Sequence, residues 1–296
     1  MRVGTLELTL LRMFRRDAYP KLTIIICLNR LFCSQFKSNS QIAQLTSDYT
    51  ENDLMTKKSF DLSHLNKGIR WLADGGLNLF AALDCSKLPT AVTTIMHSSN
   101  ILLTDYKRLV LTGHGGKWLW SQLQKTDMSI ADPVDTYSLD LTRQFIDEYL
   151  DGADSLIIYP TDNLVPLGQL GELAGWSHPS PLGQGINAEF GVWFAYRTAF
   201  LTTADLPAIT NPATDSPCAS CADKPCLPAC PAGATEENGR FLIQRCSQFR
   251  LQPDSPCADR CLARVACPVA PEHHYTLPQI QYHYGASLDI LKTYYS

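Results

Sequence analysis

The chain has 296 residues, 45% of them hydrophobic and 18% charged, the ordinary make-up of a globular chain with a sizeable core in one large domain or two moderate ones. Its net charge of −4 gives no indication of a basic surface for a nucleic-acid duplex, leaving only a local patch open. No apolar run approaches the ~20 residues that span a bilayer, and the longest, Leu22 to Leu28, lacks the cleavage site of a secretory signal. A cytoplasmic location is expected, with neither a membrane nor a nucleic-acid duplex as partner.

Residues 1–54 mix basic residues, a short apolar run and a polar stretch, with no recognisable site. They are expected to be a poorly ordered extension, or the product of a start placed too far upstream, with a family-specific N-terminal subdomain as the alternative. A functional domain is expected to begin near Met55. Leu65, Ile69, Leu72 and Leu79 have approximate helical spacing, broken at Gly75-Gly76. Arg108 to Thr112 reads as a buried strand running into Gly113-His114-Gly115-Gly116, a tight turn rather than a phosphate loop. KWLWSQLQ reads as a helix. Asp132-Pro133 opens another, with Val134, Leu141, Phe145 and Tyr149 on its apolar side. Asp154 to Tyr159 and Trp193 to Thr202 read as strands, the latter rich in aromatic residues. Leu206 to Ser216, rich in Pro, Asn and Thr, is a natural boundary. Thr276 to Tyr295 reads as a closing helix with Thr276 as N-cap and Gln279 three residues on. His273-His274 reads as a solvated loop pair rather than metal ligands.

The strongest signal is in the cysteines. Of 11, Cys27, Cys33 and Cys85 are scattered and eight fall between Cys218 and Cys267. Clustering without a secretion signal points to metal rather than to disulfides. The first group is Cys218-x2-Cys221-x4-Cys226-x3-Cys230-Pro231, and the second is Cys246-x10-Cys257-x3-Cys261-x5-Cys267-Pro268. Two-cluster ferredoxins use a crossed arrangement, in which the cysteine before a proline serves the other cluster. Applied here, one [4Fe–4S] cluster takes Cys218, Cys221, Cys226 and Cys267, and the second takes Cys230, Cys246, Cys257 and Cys261. The spacing departs from the ferredoxin pattern, with four residues rather than two between Cys221 and Cys226. Zinc is the alternative metal, but zinc ribbons use paired Cys-x2-Cys units and this module has one.

Upstream, Gly185 to Thr202 (GINAEFGVWFAYRTAFLT) resembles the segment HP-x-(F/Y)-G-x-W-F-A-x-R of the cobalamin-C type corrinoid-processing proteins. Asp132-Pro133-Val134-Asp135 resembles a DPVD segment of that family. Leu182-Gly183-Gln184-Gly185 followed by EFGVWF is similar to the glycine-rich and (E/P)FGSWF parts of epoxyqueuosine reductase. The order of parts also resembles that enzyme and the corrinoid-dependent reductive dehalogenases. The resemblance covers roughly Leu109 to Cys267. Asn187-Ala188 replaces the family's His-Pro, the second cysteine group is looser, and the catalytic acid of epoxyqueuosine reductase has no match.

The resemblance implies an α+β protein, with a flavin-reductase/nitroreductase-like α/β domain followed by a ferredoxin-like two-cluster module. The expected division is 1–54 extension, 55–210 α/β domain, 211–270 cluster module and 271–296 C-terminal helix. It also implies a corrinoid (cobalamin) contacted by Gly183, Gly185, Phe190, Gly191, Trp193 and Arg197. Glycines let backbone approach a flat ring, and the aromatic residues pack against it or, alternatively, only pack a strand. Arg197, half-buried, needs a partner, whether a co-substrate or a structural ion pair. The expected function is an oxidoreductase passing electrons from two [4Fe–4S] clusters to a corrinoid or other acceptor. A ferredoxin or flavodoxin is the expected donor. The alternative is a non-catalytic electron carrier or corrinoid chaperone.

Overall fold

The computed structural model describes residues 60–236 and 238–295. The extension expected over 1–54, the start at Met55, and Cys27 and Cys33 lie outside the described residues. Helix α1 (Leu62–Asp74) opens on Asp61, whose carboxylate accepts from the Ser63 and His64 amides at 2.9 and 3.1 Å, and it stops at Gly75. Strand β1 (Leu79–Asp84), helix α2 (Thr90–Ser98) and strand β2 (Arg108–Gly115) follow. After α3 (Trp118–Leu123) comes α4 (Pro133–Tyr149), with proline in its first turn, where no amide bond is lost. Strand β3 (Ser155–Tyr159), helix α5 (Leu167–Leu173) and strand β4 (Phe194–Thr202) complete the upstream part.

The four strands form one antiparallel sheet in the order β1-β2-β4-β3. Both faces are covered. Leu109, Leu111, Ala199 and Leu201 face Leu167, Leu170 and Trp176, while Val110 and Phe200 face Leu65, Leu72 and Phe145. A strand buried on both sides reads as a continuous apolar run, which is why RLVLT is legible and LFAALD, without alternation or β-branching, is not. Between the layers, Thr142 of α4 reaches Thr198 at 2.9 Å, and Thr198 reaches Thr112 at 2.7 Å, so three buried hydroxyls satisfy one another.

The Gly113-His114-Gly115 stretch is strand, not a turn; only Gly116, at φ +71°, turns. Gly115 is bare because the Phe190 ring occupies the place of its side chain. A bulge between Thr112 and Gly113 pairs them with Thr198 and Tyr196, leaving Arg197 without a partner in the register.

Downstream, short helices α6 (Pro217–Ser220), α7 (Ile243–Arg250) and α8 (Leu262–Val265) are joined by turns, and the long helix α9 (Leu277–Tyr295) closes the chain. The Gln279 amide reaches the Thr276 hydroxyl at 3.4 Å at its start. Leu182, Ile186, Val192 and Trp193 share a core with Ala263, Cys267, Tyr275 and Ile280, so upstream and downstream parts meet in packed apolar contact. Helix α9 also reaches back, setting Tyr282 against Trp120 with ring centres 5.2 Å apart. Among the described residues no helix is long and apolar enough to cross a membrane.

Candidate metal centre

All eight clustered cysteines are free thiols, with Cys257 and Cys267 buried and the others half-buried. Burial and mutual charge raise several of them. Burial raises the Cys218 thiol, and charge on Cys267, Cys226 and Cys221 raises it further. Burial also raises Cys226, with Cys267 and Cys221 adding to it, and raises Cys267, with Cys221 adding. Cys246 is pushed up to about 12 by burial, then by Cys261, Cys230 and Cys257, with Arg250 opposing. Burial raises Cys257, with Cys261 and Cys230 adding. In the packing, Cys218, Cys226, Cys230, Cys261 and Cys267 share one core cluster with Trp193 and Tyr275.

Local structure positions several of these thiols. Cys261 stands at the start of α8 and accepts the Arg264 amide at 3.4 Å; Cys230 accepts the Ala234 amide at 3.3 Å. Cys267 follows the end of the four-residue helix α8, so Cys261 and Cys267 stand at opposite ends of one turn. Among the described residues no group of three or more His, Cys, Asp or Glu side chains is placed around one metal-ion position. A [4Fe–4S] cluster spreads its thiolates over four irons, whereas a zinc ion draws four sulfurs to about 2.3 Å of one point.

The six residues expected to contact a corrinoid form the seam between the sheet and the cysteine region. Trp193 is fully buried and Phe190 nearly so. A Cβ on Gly191, at φ +57°, would stand 2.5 Å from the Val269 carbonyl oxygen, and one on Gly183, at φ +70°, 2.6 Å from Phe241. A Cβ on Gly185 would stand 2.8 Å from Ser177. The glycines admit protein, and the space beside them is filled. A cleft of about 220 Å³ opens beside Ser177 and His178 and is smaller than the roughly 300–1,000 Å³ of ordinary cofactor pockets. Arg197 does find a partner, Asp135 of the Asp132–Asp135 motif, at 3.9 Å, while its Nε is buried without one.

Sequence reasoning missed the residues that hold the seam. Asn187, standing where the resembled family has histidine, accepts the Glu189 and Phe190 amides and donates to the Trp176 carbonyl at 2.7 Å. His273 and His274 are not a solvated pair. His273 sits edge-on to Phe190 at 4.7 Å and His274 against Trp193 at 4.6 Å, because the chain after Cys267 runs along the seam. His114 is buried and bonded to Tyr275 at 2.9 Å. Burial holds its imidazole well below the ordinary 6.5, with Arg197, His283 and Arg264 adding. His283 is lowered to about 3 by burial, then by Arg197 and Arg264; its ring is enclosed although the residue as a whole keeps some exposed surface. The signal available was the spacing of His114 and Tyr275 at the ends of predicted elements, too weak to pair them.

The fold thus defines a mixed α+β protein with a small antiparallel sheet and an appended eight-cysteine region. Among solved structures it is similar to epoxyqueuosine reductase from Streptococcus thermophilus, at 14% identity and a TM-score of 0.49, covering 69% of this chain and 65% of that one. Epoxyqueuosine reductase solved with a tRNA-Tyr epoxyqueuosine-modified tRNA stem loop matches at 15% and 0.49, covering 73% and 68%. A Caenorhabditis elegans B12-trafficking protein, CblC, matches at 11% and 0.43, covering 78% and 96%. These are the two families that the motifs resemble. This chain spans about two thirds of the length of the reductases. No family model matches the sequence, nor does any curated protein. The tRNA-bound reductase corrects one expectation: the exclusion of a nucleic-acid duplex as partner is withdrawn. That exclusion rested on net charge, which averages over the surface and is silent on any one patch.

Proposed function

We propose that this chain is an iron–sulfur protein that passes electrons singly through two [4Fe–4S] clusters to an acceptor held by the upstream α+β part. The observation that carries this is a group of eight free thiols in one region, five of them (Cys218, Cys226, Cys230, Cys261 and Cys267) in the core that also holds Trp193. Each cluster, when bound, supplies one-electron redox chemistry at low potential. The chain's own residues hold the thiolates, bury Cys257 and Cys267, and keep water from the side facing Trp193. Pro231 and Pro268 turn the backbone away after each group. Anaerobic protein is expected to contain close to eight irons and eight sulfides. Four of each would leave one set only, and stoichiometric zinc in their place would end the proposal.

The acceptor proposed is a corrinoid, on the strength of the motifs around Gly183–Arg197. A ring seated there requires the cysteine region to part from Trp193 and Gly191. Titration with cob(II)alamin, followed by EPR, tests it: the cobalt signal changes on binding. An unaltered signal at high protein concentration leaves the electron-carrier reading in its place.

A further inference from the structure

Two arginines, Arg250 buried and Arg264 half-buried, stand beside the thiols, and they are shared unequally. Arg250 is 8% exposed and donates to the carbonyl oxygens of Cys257 at 3.1 Å, Ala258 at 3.2 Å and Tyr284 at 2.8 Å. Its guanidinium also lies 5.1 Å from the centre of the Tyr284 ring. Arg264 donates to the Val192 carbonyl and lies over the rings of Trp193 and Tyr275 at 4.6 and 5.1 Å. Every one of these partners is neutral. Among the described residues neither guanidinium has a carboxylate within ion-pair distance. A buried cation without a counter-charge is strongly unfavourable, so negative charge must be supplied by something else nearby.

Among the described residues these arginines act on the Tyr275 and Tyr284 phenols, both held neutral by burial, and on thiols that become anionic when they bind a cluster. Arg250 stands four residues after Cys246 on the same face of α7 and donates to the Cys257 carbonyl at 3.1 Å, and both cysteines are assigned to the second set. Arg264 stands on α8 midway between Cys261 of the second set and Cys267 of the first. The set Cys230, Cys246, Cys257 and Cys261 therefore has Arg250 beside it, while Arg264 is common to both sets. Backbone amide donors do not separate the sets, because both have them. Charge does.

We propose that Arg250 makes the site of Cys230, Cys246, Cys257 and Cys261 the higher-potential member of the pair, the place where the first electron rests. The inference rests on the iron–sulfur reading and deepens it. Adding an electron makes a four-thiolate cluster more negative by one charge, and a nearby fixed cation favours that form. One electron from a low-potential donor of the ferredoxin or flavodoxin class reduces one cluster by one unit. No proton moves and no bond is made or broken. At equilibrium the electron sits at the second set, beside Arg250 and its bond to Tyr284 of α9, rather than next to Cys218 and Cys221.

The experiment is an anaerobic titration of the full chain with Ti(III) citrate, read by EPR, on wild type, Arg250→Gln and Arg250→Lys. Iron and sulfide are measured on the same samples. Wild-type protein without iron ends the iron–sulfur reading itself, and is recognised before any potential is read. With clusters present, two one-electron steps are expected in wild type. In Arg250→Gln the higher step is expected to fall by a tenfold change in the reduced-to-oxidised ratio or more, about 59 mV for one electron, while the lower step stays. Arg250→Lys, which keeps the charge, is expected to restore the higher step. If Arg250→Gln instead loses four irons, the step that remains is expected at the wild-type lower potential. The proposal is overturned if the lower step is the one that moves, if neither moves, or if the surviving step lies at the higher potential.

Discussion

The guanidinium of Arg264 donates two hydrogen bonds, 2.6 and 3.1 Å, to the carbonyl oxygen of Val192. One residue of the cysteine region thereby holds the backbone of the strand-entry segment, 72 positions earlier. Charged donors to a buried carbonyl contribute about 1.5–3 kcal/mol, and an abandoned carbonyl costs a similar amount. Arg264→Met is expected to lower the unfolding free energy by about 3 kcal/mol, measured by urea denaturation under anaerobic conditions. A loss below about 1 kcal/mol would show that the contact is dispensable.

Gly191 and Gly152 separate crowding from backbone strain. Both have positive φ, +57° and +74°, but a Cβ at Gly191 meets the Val269 carbonyl while one at Gly152 meets nothing within 4 Å. Gly152→Ala is expected to cost about 1 kcal/mol for the left-handed backbone alone. Gly191→Ala is expected to cost at least twice that and to expose the seam to limited proteolysis. Equal melting temperatures in the two variants would refute the close approach.

The proposed interleaved sets make a prediction that a sequence-local arrangement does not. Cys230→Ser with Cys257→Ser strikes one set twice, so about half the iron is expected to remain. Cys226→Ser with Cys230→Ser strikes both sets, and nearly all the iron is expected to go, although these two cysteines are neighbours in sequence. Iron analysis decides. Cys85→Ser is expected to keep full iron, because Cys85 is packed in the core of the sheet with Leu83 and Met96.

Stability is expected to fall with pH through the histidine range. Above 6.5 His114 and His283 are neutral whether the chain is folded or not. Below it, the unfolded chain takes up protons that the folded one refuses, down to about 3 for His283. The unfolded state then binds more protons, so stability is lost as pH falls, by about 1.4 kcal/mol per pH unit for each histidine. Urea midpoints between pH 7.5 and 5.5 check this, and His283→Gln is expected to flatten the slope. A wild-type midpoint that does not change over that range would contradict the burial of both rings.

Local signals were legible and distant ones were not. Asp132-Pro133 and the helical spacing of Val134, Phe145 and Tyr149 announce α4, and aromatic residues announce β4, because one element's own residues carry the pattern. The expectation that Arg197 needs a partner meets Asp135 in the structure, but the pairing follows from a bulge that only the sheet reveals. β1 was missed because burial on both faces erases alternation. The glycines at 183, 185 and 191 announced a close approach, and sequence alone left open what would approach. The structure supplies Phe241, Ser177 and Val269, all of which chain spacing places out of view.

The order of the cysteines along the chain has a consequence for biogenesis under the proposed two-cluster arrangement. The first proposed set needs Cys267 and the second needs Cys261, so a ribosome that has released only Cys218 to Cys230 would have exposed four thiols and completed neither site. Loading would be postponed until α8 has emerged. Until then the nascent chain would present unpaired sulfurs, for which oxidants or zinc would compete. A cell that loads both clusters would then have to guard a late intermediate rather than an early one.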